Sequence, residues 1–244
     1  MMRINRYLAS CGLASRRGVE EIITAGRVTV NGKRITRLGV SINESKDIVR
    51  VDGRHVHLQE KQIYILFNKP KGVVTTARDE LGRKNVLDIV KVKERIFPVG
   101  RLDRNSEGLL LLTNDGELAN RLLHPSSKVY KTYRVRLDHP LREKDMDQLV
   151  SGMNLDDGVT ARCRARFYTD DPQKIELQIH EGRNHIVRRM FAALGYNVKA
   201  LKRTQFGPLS LKNLGRGQWR WLTPPEIFQL RQIVSRSRVN AGKK

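Results

Sequence analysis

Four consecutive leucines, Leu109–Leu112, follow a loop bounded by Gly100 and Gly108 and stop at Asn114-Asp115-Gly116. A short unbroken apolar run between turn residues reads as a strand buried on both faces, so it belongs in the interior of a sheet. The loop that feeds it, Gly100-Arg101-Leu102-Asp103-Arg104-Asn105-Ser106-Glu107-Gly108, sets an aspartate between two arginines. A loop anchored by a buried strand is a rigid mount for a side chain, and such loops often carry chemistry. Asp103 is therefore the first candidate for a reacting group.

Charge indicates what that carboxylate meets. The chain has 47 basic and 25 acidic residues, a net charge of +22 over 244 residues, and a pI near 10.6. An excess of this size favours a polyanion, nucleic acid ahead of an acidic membrane. Residues 1–60 carry 11 basic and 6 acidic side chains and the rest 36 and 19. Both parts are thus basic at similar density, and both can face phosphate.

Other classes are disfavoured. No apolar run approaches the roughly 18 residues of a membrane span, and no signal-peptide pattern is seen. Cys11 and Cys163 supply neither a disulfide framework nor a Cys-x-x-Cys pair, and the 6 histidines are scattered. There is no Walker A loop and no dinucleotide glycine pattern. The expectation is a cytoplasmic, reduced protein, a monomer, with no metal, no cofactor and no membrane partner.

Residues 1–60 read as one small domain. Ile4, Tyr7, Leu8 and Cys11 recur at helical spacing up to Gly12. Ser15 is placed to cap a second helix, with Val19, Ile22 and Ile23 as its stripe and Gly26 as its end. Arg27–Val30 alternates as a strand, and Asn31-Gly32 is a two-residue hairpin signal. A further pair turns at Asp52-Gly53. Residues 61–236 are richer in strands. Ile63–Phe67 is compact and apolar, and Lys69-Pro70-Lys71-Gly72 turns it toward a second strand over Val73–Thr76. Glu117–Leu123 is a helix halted by His124-Pro125. Tyr133, Val135 and Leu137 share one strand face; Arg162, Arg164 and Arg166 share another. A helix capped by Asn184 and ended by Gly195 has Ile186, Val187, Met190, Phe191 and Leu194 as its buried stripe, flanked by Arg188 and Arg189. The elements do not alternate as βαβ, which predicts an α+β fold with a mixed, largely antiparallel sheet. Residues 237–244 read as a basic, disordered tail.

Two families are resembled. Ser15-Arg16-Arg17 and Gly26-Arg27-Val28-Thr29-Val30-Asn31-Gly32 resemble the S4-type RNA-binding (αL) domain, which implies RNA contacts by Arg16, Arg17 and Arg27. Gly-Arg-Leu-Asp at 100–103, with Ser106, Gly108 and the run to Gly116, resembles the signature loop of pseudouridine synthases. Lys69-Pro70-Lys71-Gly72, Lys131-Thr132-Tyr133 and Gly182-Arg183-Asn184-His185-Ile186-Val187-Arg188-Arg189-Met190 match further motifs in the same order. Together with the N-terminal domain, the chain to about residue 232 is similar to the bacterial ribosomal branch of that family. Ile186 departs from the Gln, Arg or Glu usual there.

The resemblance implies isomerisation of uridine to pseudouridine in ribosomal RNA, with 23S preferred to 16S. A non-catalytic assembly factor on the same scaffold is the contrasting reading. The resemblance further implies that Asp103 is the catalytic carboxylate, that Arg188 is its cationic partner, and that Tyr133 stacks on the target uracil. Arg101, Lys69, Lys71 and Arg183 are the further RNA-binding candidates. A structured stem-loop, free or in a subunit assembly intermediate, is the expected substrate.

Overall fold

The Ser15 hydroxyl accepts a hydrogen bond from the Gly18 amide at 3.1 Å, which caps the second of two short helices at the start of the chain. The computed structural model describes residues 1–59, 61–76 and 81–241, with side chains to residue 235. It divides into two units, the first made of Met1–Ile63 with Val92–Ile96 and Asn114–Gly116. Here α1 (Ile4–Ser10) and α2 (Arg16–Thr24) bury Ile4, Leu8, Val19 and Ile23 with Val28 and Val49 of a small sheet. That sheet has the order β2-β1-β3-β4, with β1 Val28–Val30, β2 Lys33–Ile35, β3 Val49–Val51 and β4 Arg54–His55, all antiparallel. Asn31 and Gly32 both have positive φ, +51° and +80°, as a tight hairpin with the native strand twist requires.

The second unit is built on one large sheet. Its main strands are β5 (Tyr64–Lys69), β6 (Glu107–Thr113), β7 (Lys131–Leu137), β8 (Arg164–Phe167), β9 (Lys174–Ile179), β10 (Val198–Phe206) and β11 (Trp219–Trp221). The order is β8-β9-β7-β10-β6-β5-β11. Every pairing along this path is antiparallel except β10 with β6, where Lys202 faces Glu107 and Arg203 faces Gly108. The longer helices are α3 (Gly116–Leu123), α4 (Glu143–Ser151), α5 (Ile186–Ala193) and α6 (Pro224–Ala241). Leu109 and Leu111 pack with Leu118, Ala119 and Leu122 of α3 and with Leu230 and Val234 of α6. Leu110 and Leu112, pointing the other way, are equally buried. Each buried leucine contributes roughly 2 kcal/mol, which makes β6 the firmest support available to the loop before it.

Four expectations are corrected. Val73–Thr76 forms no strand, only an isolated bridge between Val74 and Asn85, because the Thr75 hydroxyl is engaged by the backbone of Leu102. Arg162 precedes β8, so only Arg164 and Arg166 lie on that strand, and Arg166 is paired with Glu176. Helix α5 begins after His185, not Asn184; His185 holds the cap position at φ +49° without a side-chain cap bond. The tail expected to be disordered from residue 237 is helical as far as Ala241, since neither proline nor glycine interrupts α6 before Gly242. Residues 242–244 lie outside those described.

Candidate active site

The Asp103 loop is fixed from two directions. Thr75 Oγ1 donates to the Leu102 carbonyl at 2.6 Å and accepts from the Leu102 amide at 3.2 Å. The Gly72 amide donates to the Arg104 carbonyl at 2.8 Å. From below, the Lys69 ammonium donates to the carbonyls of Pro70 at 3.0 Å and Ser106 at 2.9 Å. The loop closes on itself where the Ser106 amide donates to the Asp103 carbonyl at 3.0 Å. The Lys-Pro-Lys-Gly turn thus acts as a clamp on the Gly-Arg-Leu-Asp loop, brought to it by the antiparallel pairing of β5 with β6.

Asp103 stands on the wall of a cavity of about 710 Å³ in the second unit. Its carboxylate is partly exposed, with Oδ1 3.4 Å from His185 Nε2 and Oδ2 3.5 Å from Ser106 Oγ. Tyr133, on β7, lines the same cavity although only 8% exposed. Across the ladder its partner is Arg203 of β10, another lining residue. Arg101 is exposed at the cavity rim.

Beneath this surface lie three buried cations. Lys69 is fully enclosed, and burial lowers its pKa to about 8 against the opposing pull of the Asp103 and Glu107 charges. Lys131 donates to the carbonyls of His180 at 3.0 Å and Glu181 at 3.1 Å. Burial, helped by the charge of Arg203, lowers its pKa to about 8 as well. Arg203 is 3% exposed and donates through Nε to the Leu109 carbonyl at 2.7 Å. The cavity therefore brings together the Asp103 carboxylate, the Tyr133 ring and buried positive charge, with Glu181 and Phe206 also in its lining.

Not every expected residue arrives there. The Arg188 guanidinium donates to the Val198 carbonyl at 2.8 Å and does not line the cavity. The reason is helical geometry: His185, Ile186 and Val187 lead α5 along the cavity, and Arg188 is turned about 100° beyond Val187. Lys69, expected at the RNA, is buried and supports the loop instead. Arg183 lines the cavity, but its guanidinium is engaged by Glu181, by Asp157 and by the carbonyls of Gly158 and Val159. Arg189 is bound to Asp156 and Asp157. In the first unit Arg16 and Arg17 are exposed, whereas Arg27 makes a two-bond pair with Asp52, at 2.9 and 2.5 Å. Lys71 is exposed beside the clamp turn.

Sequence reading missed three members. His185 and Lys131 lay inside quoted motifs, one residue or two from those singled out. Arg203 gave no local signal, because a basic residue on an alternating strand normally faces solvent. The departure at Ile186 is filled by a buried apolar side chain on the cavity wall. Among the described residues, no group of three or more His, Cys, Asp or Glu side chains is placed to hold a metal ion. No described helix is long and apolar enough to cross a membrane.

A family model described as RNA pseudouridylate synthase matches residues 63–193, and an S4 domain model matches residues 2–49. The chain is 44% identical over 239 residues to the ribosomal large subunit pseudouridine synthase B of Bacillus subtilis (strain 168), covering 96% of this chain and 97% of that protein. It is 35% identical over 238 residues to the dual-specificity RNA pseudouridine synthase RluF of Escherichia coli (strain K12), covering 97% of this chain and 80% of that one. A crystal structure of a pseudouridylate synthase superposes with a TM-score of 0.69 at 29% identity, covering 94% of this chain and all of that chain.

Proposed function

The chain belongs to the RNA pseudouridylate synthase family, and on that premise we propose that it modifies ribosomal RNA of the large subunit, with Asp103 as the catalytic carboxylate. The reaction breaks the C1′–N1 bond of a uridine, turns the uracil, joins C5 to C1′, and moves the C5 proton to N1. Atoms and electrons balance within the nucleotide. The protein must therefore hold the base and supply one carboxylate, as nucleophile at C1′ or as base at C2′.

The observation that carries this reading is the position of Asp103 on a clamped loop, in one cavity with Tyr133. A uracil can reach that carboxylate only after leaving its stack, at a cost of a few kcal/mol that is least in loops and irregular helices. The Tyr133 ring offers the base a stacking surface worth roughly 1–3 kcal/mol. Arg101, at the rim, grips phosphate or fills the gap left by the base. Arg16 and Arg17, exposed on the first turn of α2, serve the S4 domain as phosphate contacts. A structured stem-loop in ribosomal RNA fits these needs, and the protein acts on it in the cytoplasm as a monomer. Lys69 enters this reading as a support of the Asp103 loop and not as a ligand of RNA, and Arg188 as a support of α5 and not as the cationic partner of Asp103.

The test is pseudouridine mapping of ribosomal RNA from cells lacking the protein, complemented with wild type or with Asp103→Asn. Loss of a large-subunit mark, restored by wild type alone, is the expected result. Loss of a 16S mark instead would move the target to the small subunit. Restoration by Asp103→Asn would remove Asp103 from the reaction.

A further inference from the structure

One polar group on the cavity wall has no partner in the described structure. Arg203 Nη2 is buried and makes no hydrogen bond among the described residues, although the other end of the same guanidinium is held by the Leu109 carbonyl. Buried donors are almost always satisfied, so an orphan on a residue that lines the cavity calls for an acceptor that arrives with the ligand. A guanidinium has donors only and stays protonated, so its missing partner is a carbonyl or an anion.

Position narrows the choice. Arg203 faces Tyr133 directly across the β7–β10 ladder and Gly108 across the parallel β10–β6 pairing. Directly opposed residues have Cβ atoms about 5 Å apart, so a ring stacked on Tyr133 brings its edge within reach of the guanidinium. Its plane is restrained by the Nε bond and by the Phe206 ring, 5.5 Å from Cζ. Gly108 ends the loop that carries Asp103, so one stretch of backbone sets both the carboxylate and the donor.

We propose that Arg203 is a substrate-reading residue: Nη2 donates a hydrogen bond to a carbonyl oxygen of the uracil ring, O2 or O4, once the base has entered the cavity. The proposal rests on the pseudouridine synthase reading given above. A donor at O4 also rejects cytosine, whose amino group at that position would set donor against donor. The Lys131 ammonium, by contrast, already donates to the His180 and Glu181 carbonyls.

The test uses the full chain on large-subunit RNA transcribed with uridine, 2-thiouridine or 4-thiouridine, since sulfur is a weaker acceptor than oxygen. Wild type and Arg203→Met are compared in single-turnover pseudouridine formation, with thermal melting of each as a folding control. For wild type, one of the two thio-substitutions is expected to slow the reaction about tenfold or more, and its identity names O2 or O4. In Arg203→Met, the uridine substrate should be slowed by a similar factor, and the thio-penalty should vanish. Equal indifference of wild type to both sulfurs overturns the proposal without any variant, including one that fails to fold. A thio-penalty that persists in Arg203→Met overturns it too, and leaves Nη2 to an internal water. Wild type inert on the uridine transcript, by contrast, would sink the functional reading itself.

Discussion

His185 Nε2 lies 3.4 Å from Asp103 Oδ1, joining the first residue before α5 to the loop before β6. The contact costs backbone strain, because His185 is held at φ +49°, a region that disfavours an L residue by about 1–2 kcal/mol. Replacement by glycine separates the two effects. His185→Gly should melt at or above the wild-type temperature, since glycine tolerates this φ and is an acceptable N-cap. It should also slow pseudouridine formation several-fold, through loss of the imidazole beside the carboxylate. Unchanged single-turnover rates would show that the pairing has no part in the reaction.

Gly108 is required by the seam on which the site is built. A Cβ there would stand 2.2 Å from the Arg203 carbonyl oxygen and 2.7 Å from its amide nitrogen, and the residue sits at φ +112°. Both obstacles are backbone and cannot swing aside. Gly108→Ala is expected to destabilise the chain by about 3 kcal/mol or more in urea denaturation. Gly72 has a similar φ, +85°, but open space where its Cβ would be. Gly72→Ala should therefore cost only the strain, about 1–2 kcal/mol. Equal losses in the two variants would contradict a close parallel pairing at Gly108.

Much of this architecture was legible because it rests on short-range rules. Ser15 capping α2, Asn31-Gly32 turning a hairpin and the leucine run forming β6 each follow from residues that are neighbours in sequence. The Asp103 loop and Tyr133 were legible for the same reason, as motifs beside strands. What escaped depends on contacts between distant segments. The pairing of β10 with β6, 94 residues apart at Arg203 and Leu109, turns an apparently solvated arginine into a buried one. Arg188 differs in the opposite sense: its motif fits, and in this structure the rotation of α5 takes its guanidinium to the Val198 carbonyl.

The buried lysines make stability depend on pH in the alkaline range. Burial holds both Lys69 and Lys131 at about 8, below their ordinary 10.5. Between pH 8 and 10.5 the unfolded chain therefore binds more protons at these positions than the folded one, and folding gains stability as pH rises. Below pH 8 both states are protonated and the slope vanishes. Relative to Lys131→Met, wild type should gain stability between pH 8 and 10, by up to about 1.4 kcal/mol per pH unit. Urea denaturation at pH 7, 8, 9 and 10 measures the difference. A constant gap across the series would mean that Lys131 remains protonated in the folded state.

The basic residues divide into those that hold the fold and those that can meet RNA, and the division is measurable. Arg183 links Glu181 and Asp157 and also donates to the Gly158 and Val159 carbonyls, while Arg189 shares Asp157. Arg183→Ala should cost about 1–3 kcal/mol of stability, because carbonyls and a carboxylate lose one donor together. The Arg183 and Arg189 losses should be non-additive, since both act on Asp157. Neither variant should change the slope of RNA affinity against salt. Arg16→Ala and Arg17→Ala should do the reverse, leaving melting within about 0.5 kcal/mol of wild type. Each should lower the salt slope by about 1, as expected for a residue whose charge neutralises one phosphate. If Arg183→Ala flattens the slope while stability holds, that arginine leaves its internal partners to bind RNA.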